Sequence, residues 1–129
     1  MKNAFIKEVN ERGMVNSVCK NKVIVDFGSI KELGLKNNVT VEVNFLKQEI
    51  MIIIKDIAKA KDRDEALDLM NQKNQEIMYG KYYIDDDDVI EYQSWKWRPI
   101  SKKDPKCVFE LIIKCLKEYA PAHKELIHC

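Results

Sequence analysis

Val39, Val41, Val43 and Phe45 alternate with Thr40, Glu42 and Asn44, and four residues later comes Ile50-Met51-Ile52-Ile53-Ile54. Side chains alternate between faces along a strand, so the first run is a strand with one apolar and one polar face. The second run is β-branched apart from Met51 and reads as a more fully buried strand. Leu46-Lys47-Gln48-Glu49 turns the chain between them. Strands joined by so short a turn lie antiparallel, and the apolar face they build must be covered by another layer.

The rest of the chain supplies that layer. Phe5, Ile6 and Val9 have helical spacing, and Gly13 stops the helix, giving a first helix over about residues 4 to 12. Val15 and Val18, then Val23-Ile24-Val25-Asp26-Phe27, are two strands around the polar turn Lys20-Asn21-Lys22. Ser29 to Asn38 is a loop with room for one helical turn. Asp62 caps a second helix, with Glu65 three residues on and Ala66, Leu67, Leu69, Met70 and Ile77 as its stripe. Lys81 to Ile84 and Val89 to Trp97 are strands flanking the acidic turn Asp85-Asp86-Asp87-Asp88. Asp104 and Pro105 open a last helix, whose apolar contacts run from Val108 to Tyr119 before Pro121. The expected fold is α+β: an antiparallel sheet with helices on one face, in the order α-β-β-β-β-α-β-β-α, forming a single domain over residues 1–129.

Composition narrows the function by exclusion. The 22 basic and 21 acidic residues leave a net charge of +1, so there is no global attraction to nucleic acid or to an anionic membrane. The longest apolar run, Ile50 to Ile54, is too short to span a bilayer, and no apolar signal core follows Met1-Lys2-Asn3-Ala4-Phe5. A cytoplasmic protein is expected. Cys19, Cys107, Cys115 and Cys129 form no CxxC pair, and His123 and His128 sit at the C-terminal end, so no zinc-ligand spacing is present. Reduced thiols are expected. No Gly-rich phosphate loop, GxSxG or HExxH occurs, so the chain is expected to be no enzyme and to hold no cofactor.

From Asp62 to Leu126 the residues carry a resemblance. A helix ends in a segment with Asn71 and Asn74; then comes Gly80-Lys81-Tyr82-Tyr83-Ile84-Asp85-Asp86-Asp87-Asp88, a second strand, and a capped C-terminal helix. This stretch resembles the YbjN-like family, whose fold is that of type III secretion chaperones. The family's glycine within the acidic turn is absent here, and a second strand with two tryptophans is atypical. The resemblance implies a non-enzymatic, often dimeric domain that presents a sheet and helix surface to a protein client.

Four clusters are weighed as candidates for a site. Tyr92, Trp95, Trp97 and Arg98 are candidate protein contacts: on a continuous strand the two tryptophans share a face, which packs in the core or docks a partner. Stacking of single-stranded nucleic acid on the same stretch ranks below protein binding. Phe109, Ile113 and Leu116 widen the last helix's apolar stripe beyond a one-sided surface helix, and are candidate contacts of a homodimer. Arg98, Lys102, Lys103 and Lys106 form a basic patch that Asp104 partly offsets. Asp85 to Asp88 could offer carboxylates to a hard cation, but lacks an EF-hand's glycine and distant glutamate and reads as a solvated turn, so no metal is expected. The expected function is a chaperone- or adaptor-like module that binds an unidentified protein. The alternative is a phage- or mobile-element-encoded inhibitor or regulator of a host nucleic-acid-acting or defence system.

Overall fold

The structure, a computed structural model, describes residues 1–99 and 103–128. The expectations that fell on Lys102 and Cys129 lie outside the described residues. Helix α1 (Lys2–Glu11) leads into strands β1 (Asn16–Cys19) and β2 (Lys22–Asp26); a loop with one 3-10 turn (Lys31–Leu33) precedes β3 (Thr40–Phe45) and β4 (Ile50–Lys59). Helix α2 (Arg63–Glu76), β5 (Gly80–Ile84), β6 (Val89–Ser94) and α3 (Lys106–Tyr119) follow. A 3-10 turn (Ala120–Ala122) then leads to the short α4 (His123–Leu126). The expected order is present, with α4 added because Leu126 is fully buried and holds the tail against the core. Among the described residues no helix is long and apolar enough to cross a membrane.

The local signals act as their chemistry requires. The Asp62 side chain accepts the Glu65 N–H at 3.2 Å, satisfying one of α2's orphan donors. Asp104 Oδ1 accepts the Lys106 N–H at 2.9 Å, with Pro105 directly before the first helical residue. In the acidic hairpin, Asp85 Oδ1 accepts from Asp87 and Val89 N–H, and Asp88 takes φ 64°. Arg63 donates to the Asp85 carbonyl and to Asp88 Oδ1, each at 2.8 Å. The aspartates therefore build and brace the turn, and among the described residues no group of three or more His, Cys, Asp or Glu could hold a metal ion.

All six strands pair antiparallel in the order β1-β2-β3-β4-β6-β5. The register aligns the apolar residues in rows: Val25, Val41, Ile54, Tyr92 and Tyr82 in one, Val23, Val43 and Ile52 in the next, Phe45 and Ile50 in a third. This face meets the helices. Phe5 of α1 sits between Phe45 and Phe109, with ring centroids 5.7 and 5.1 Å away, so α1, the sheet and α3 share one core. Seven α3 residues are buried there, including Phe109 and Leu116. The width of the α3 stripe is thus filled from within the chain, because α1 and the tail flank it as well as the sheet. Phe109 and Leu116 are unavailable as surface contacts, which corrects that part of the dimer expectation; Ile113 alone of the three is exposed, at 46%.

The two sheet edges differ. Beside β5, the Asn74 amide of α2 donates to the Tyr82 carbonyl at 3.2 Å and accepts the Tyr82 N–H at 2.8 Å, so a side chain replaces the missing neighbour strand. Edge strand β1 pairs on one side only, and Val15 before it is 73% exposed.

One carboxylate ties the second half together. Glu118 of α3 accepts the backbone N–H groups of Met78, Tyr79 and Gly80 at 2.7 to 3.2 Å, and the Tyr92 hydroxyl at 2.7 Å. Tyr92 in turn lies over Gly80: a Cβ there would stand 2.7 Å from the Tyr92 ring and 2.3 Å from the Gln93 carbonyl oxygen. The glycine of the Gly80-Lys81-Tyr82 motif is thereby explained by close approach, not by chemistry. Replacing Glu118 with Ala leaves four donors without their acceptor, and should cost about 3 kcal/mol in denaturant unfolding, whereas Tyr92→Phe, which removes one donor with its bond, should cost about 1 kcal/mol.

Candidate functional site

The helices pack on one face of the sheet, and the other face has its own composition. The register sets Ser17, Ile24, Glu42, Ile53, Gln93 and Lys81 side by side across all six strands. Met51 lies one row away, opposite Asn44, and Tyr83 lies opposite Glu91 on β6. Ile24, Met51, Ile53 and Tyr83 stand apart from the core cluster. At the centre, Glu42 is only 2% exposed. Its carboxylate accepts from Asn44 Nδ2 and from Lys55 Nζ, each at 3.0 Å, so the charge is paired where it is buried. The face is a balanced mixture of apolar area and neutralised charge.

Trp95 stands at the end of this face. Its indole is 48% exposed, and its Nε1–H donates to the Met78 carbonyl at 2.9 Å. The Lys81 ammonium, on the same side of the sheet, lies 5.8 Å from the ring centroid, within cation–π range. Lys81 Nζ also donates to the Asn74 carbonyl, which anchors it at the α2 end.

Trp97 does not share that face, contrary to the expectation of one continuous strand from Val89 to Trp97. Ile54 pairs with Tyr92 and Ile53 with Gln93, so Ile50 would oppose Lys96 in regular register; it opposes Trp97 instead. One extra residue is inserted, and a bulge of this kind inverts the alternation of side chains beyond it. Ser94 supports the bulge: its buried hydroxyl accepts the Ile52 N–H at 2.8 Å and donates to the Trp95 carbonyl at 2.8 Å. Trp97 resumes pairing through two backbone bonds with Ile50 and packs against the core, 5.9 Å from the Tyr79 ring. Its Nε1 is buried without a hydrogen-bond partner among the described residues.

Of the other candidate protein contacts, Tyr92 is fully buried on the helix side, so it supports the site from beneath and cannot touch a partner. Arg98 is exposed. Sequence reasoning missed Lys81 and Glu42 as parts of this face. The strand period could have placed both opposite their neighbours, but only after the pairing of β4 with β6 was known.

The groups with displaced titration lie on the helix side. Burial pushes the Cys115 thiol up to about 12, and burial also raises the hydroxyls of Tyr82, Tyr92 and Tyr119 above their usual value. Burial lowers the pKa of His123, whose Nδ1 is 2.5 Å from the Tyr119 hydroxyl. Each of these burial shifts favours the neutral form, the opposite of what activates a nucleophile, while Lys73 is raised by its hydrogen bond to Glu125. Cys19 and Cys115 are free thiols, the first exposed and the second buried, and Cys107 Sγ donates to the Asp104 carbonyl at 3.1 Å.

No protein-family model matches the chain, and no curated protein sequence matches it. In structure, the chain is similar to YbjN from E. coli, whose crystal structure is described as that of a candidate transcription regulator. The match has a TM-score of 0.62 and covers 97% of this chain and 90% of that one, at 10% identity. At that identity the likeness is one of fold, and the fold is the YbjN-like α+β architecture that the second half of the sequence resembles.

Two measurements check this description. The variant Trp97→Phe, which keeps Trp95, should emit to the red of Trp95→Phe and be quenched about twice as strongly by acrylamide, because a half-exposed indole meets the quencher and a packed one does not. Stability should also fall above pH 9. Below the ordinary thiol value of 9.0 both folded and unfolded chains keep the Cys115 proton. Between 9 and about 12 the unfolded chain ionises while the folded chain does not, a loss of up to about 1.4 kcal/mol per pH unit from this group. Cys115→Ala should flatten the part of the slope that begins near pH 9, leaving the tyrosines' contribution.

Proposed function

We propose that this chain is a non-enzymatic protein-binding module, chaperone- or adaptor-like, whose partner docks on the uncovered sheet face around Trp95. The observation that carries the reading is the half-exposed indole of Trp95, held in one orientation by the Met78 carbonyl and the Lys81 ammonium. A large aromatic that is already ordered loses little entropy on binding and buries much area, which is why such residues anchor interfaces. Ile24, Met51 and Tyr83 add apolar area to the same face, and Lys55, held by the buried Glu42 carboxylate, adds a polar contact that can fix orientation. The non-enzymatic part of the reading is supported by the titratable groups: apart from Lys73, raised by its ion pair with Glu125, the displaced values belong to side chains that burial keeps neutral.

A regulator of a nucleic-acid-acting system is the second reading. YbjN's description as a candidate transcription regulator favours it, together with Lys22 and Lys81 on the same side of the sheet as Trp95. One experiment separates the two: capture from host lysate on immobilised protein, comparing the unaltered chain with Trp95→Ala and Tyr83→Ala. A protein retained by the unaltered chain and bound at least about 30-fold more weakly by Trp95→Ala, with far-UV circular dichroism unchanged, is the expected result. Retention of nucleic acid that falls steeply with salt supports the second reading instead. A protein held equally by all three would sink the docking face.

A further inference from the structure

The β3–β4 turn, the start of α1 and the chain beyond Trp97 line a cleft of about 710 Å3 that includes neither Trp95 nor Lys81. Its floor is apolar, with Phe45, Leu46 and Ile50. Its walls carry three cations, Lys2, Lys47 and Arg98, against one carboxylate, Glu49. Lys2 Nζ donates to the Lys20 carbonyl at 3.0 Å, which fixes that ammonium at the rim. None of these four charged groups forms an ion pair among the described residues. On a chain whose overall charge is +1, this is a local excess of positive charge beside an apolar floor in which Leu46 is exposed and Phe45 and Ile50 lie beneath it.

We infer that this cleft binds a small amphipathic anion, with its apolar body on Phe45, Leu46 and Ile50 and a carboxylate or phosphate head against Arg98 and Lys47. The volume is that of a ligand pocket, with room for roughly 20 non-hydrogen groups at about 30 Å3 each. The planar fork of an arginine matches a carboxylate or phosphate in two parallel bonds, and a nearby lysine adds charge without demanding geometry. The floor supplies non-directional burial, and the cations decide which end of the ligand faces out. The sequence grouped Arg98 with Lys102, Lys103 and Lys106; the fold brings it to the same cleft as Lys47, a residue about fifty positions earlier.

The test is a fluorimetric titration of the full chain with anilinonaphthalene sulfonate, beside the uncharged phenylnaphthylamine. The sulfonate should bind at one saturable site. The double variant Arg98→Gln/Lys47→Gln should weaken it about fivefold or more while leaving the uncharged probe unchanged. Displacement by octanoate or by octyl phosphate supports the inference, and the tighter competitor identifies the head group. Trp95→Ala should leave the titration unchanged, which separates this site from the docking face. The inference is overturned by non-saturable binding, by equal affinity in the double variant, or by a probe that only an acidic peptide displaces.

Discussion

Glu118 decides whether the second half of the chain has a fixed shape. Three consecutive backbone donors leading into β5 turn toward one carboxylate on α3, and the hydroxyl of Tyr92 on β6 reaches the same carboxylate. A single side chain thus sets the position of a helix relative to two strands and the turn before them. The motif glycine follows from it, since Gly80 must let the Tyr92 ring pass to reach Glu118. The geometry of Trp95 follows as well: its backbone N–H bonds the Tyr79 carbonyl and its indole the Met78 carbonyl, the peptide units whose N–H groups Glu118 holds.

The legible parts of the sequence were those written in short-range periodicity. The alternation of Val39 to Phe45 and the β-branched run Ile50 to Ile54 became the centre of the sheet, and Asp62 and Asp104 marked helix starts through bonds two or three residues away. What escaped was decided by partners far along the chain. The strand expected to reach Trp97 ends at Ser94, because a serine hydroxyl captures an N–H from β4 and admits one extra residue. The role of Glu118 was equally hidden, its partners being 26 to 40 residues distant. The breadth of α3 was visible, but not its cause, since Phe5 must arrive from the other end of the chain before Phe109 is covered.

The candidate site was legible by composition and not by geometry. Tyr92 to Arg98 holds the aromatic and cationic side chains that binding surfaces use, yet the fold distributes them to different places. Tyr92 goes under the sheet, Trp95 onto its uncovered face, Trp97 against the core, and Arg98 to a cleft. A seven-residue segment therefore serves three regions of the molecule, and a substitution in it reports on whichever region its side chain entered.

The unequal sheet edges set a limit on how copies of this chain can meet. A sheet open at both ends is a bivalent monomer and can add strands without end, whereas Asn74 makes this one monovalent by occupying the outward groups of Tyr82. If two copies join strand to strand, they do so through β1 on each side, and the union leaves no adhesive edge exposed. At the β5 edge a further strand would first have to displace the Asn74 amide from both backbone groups of Tyr82, a cost that the β1 edge does not impose.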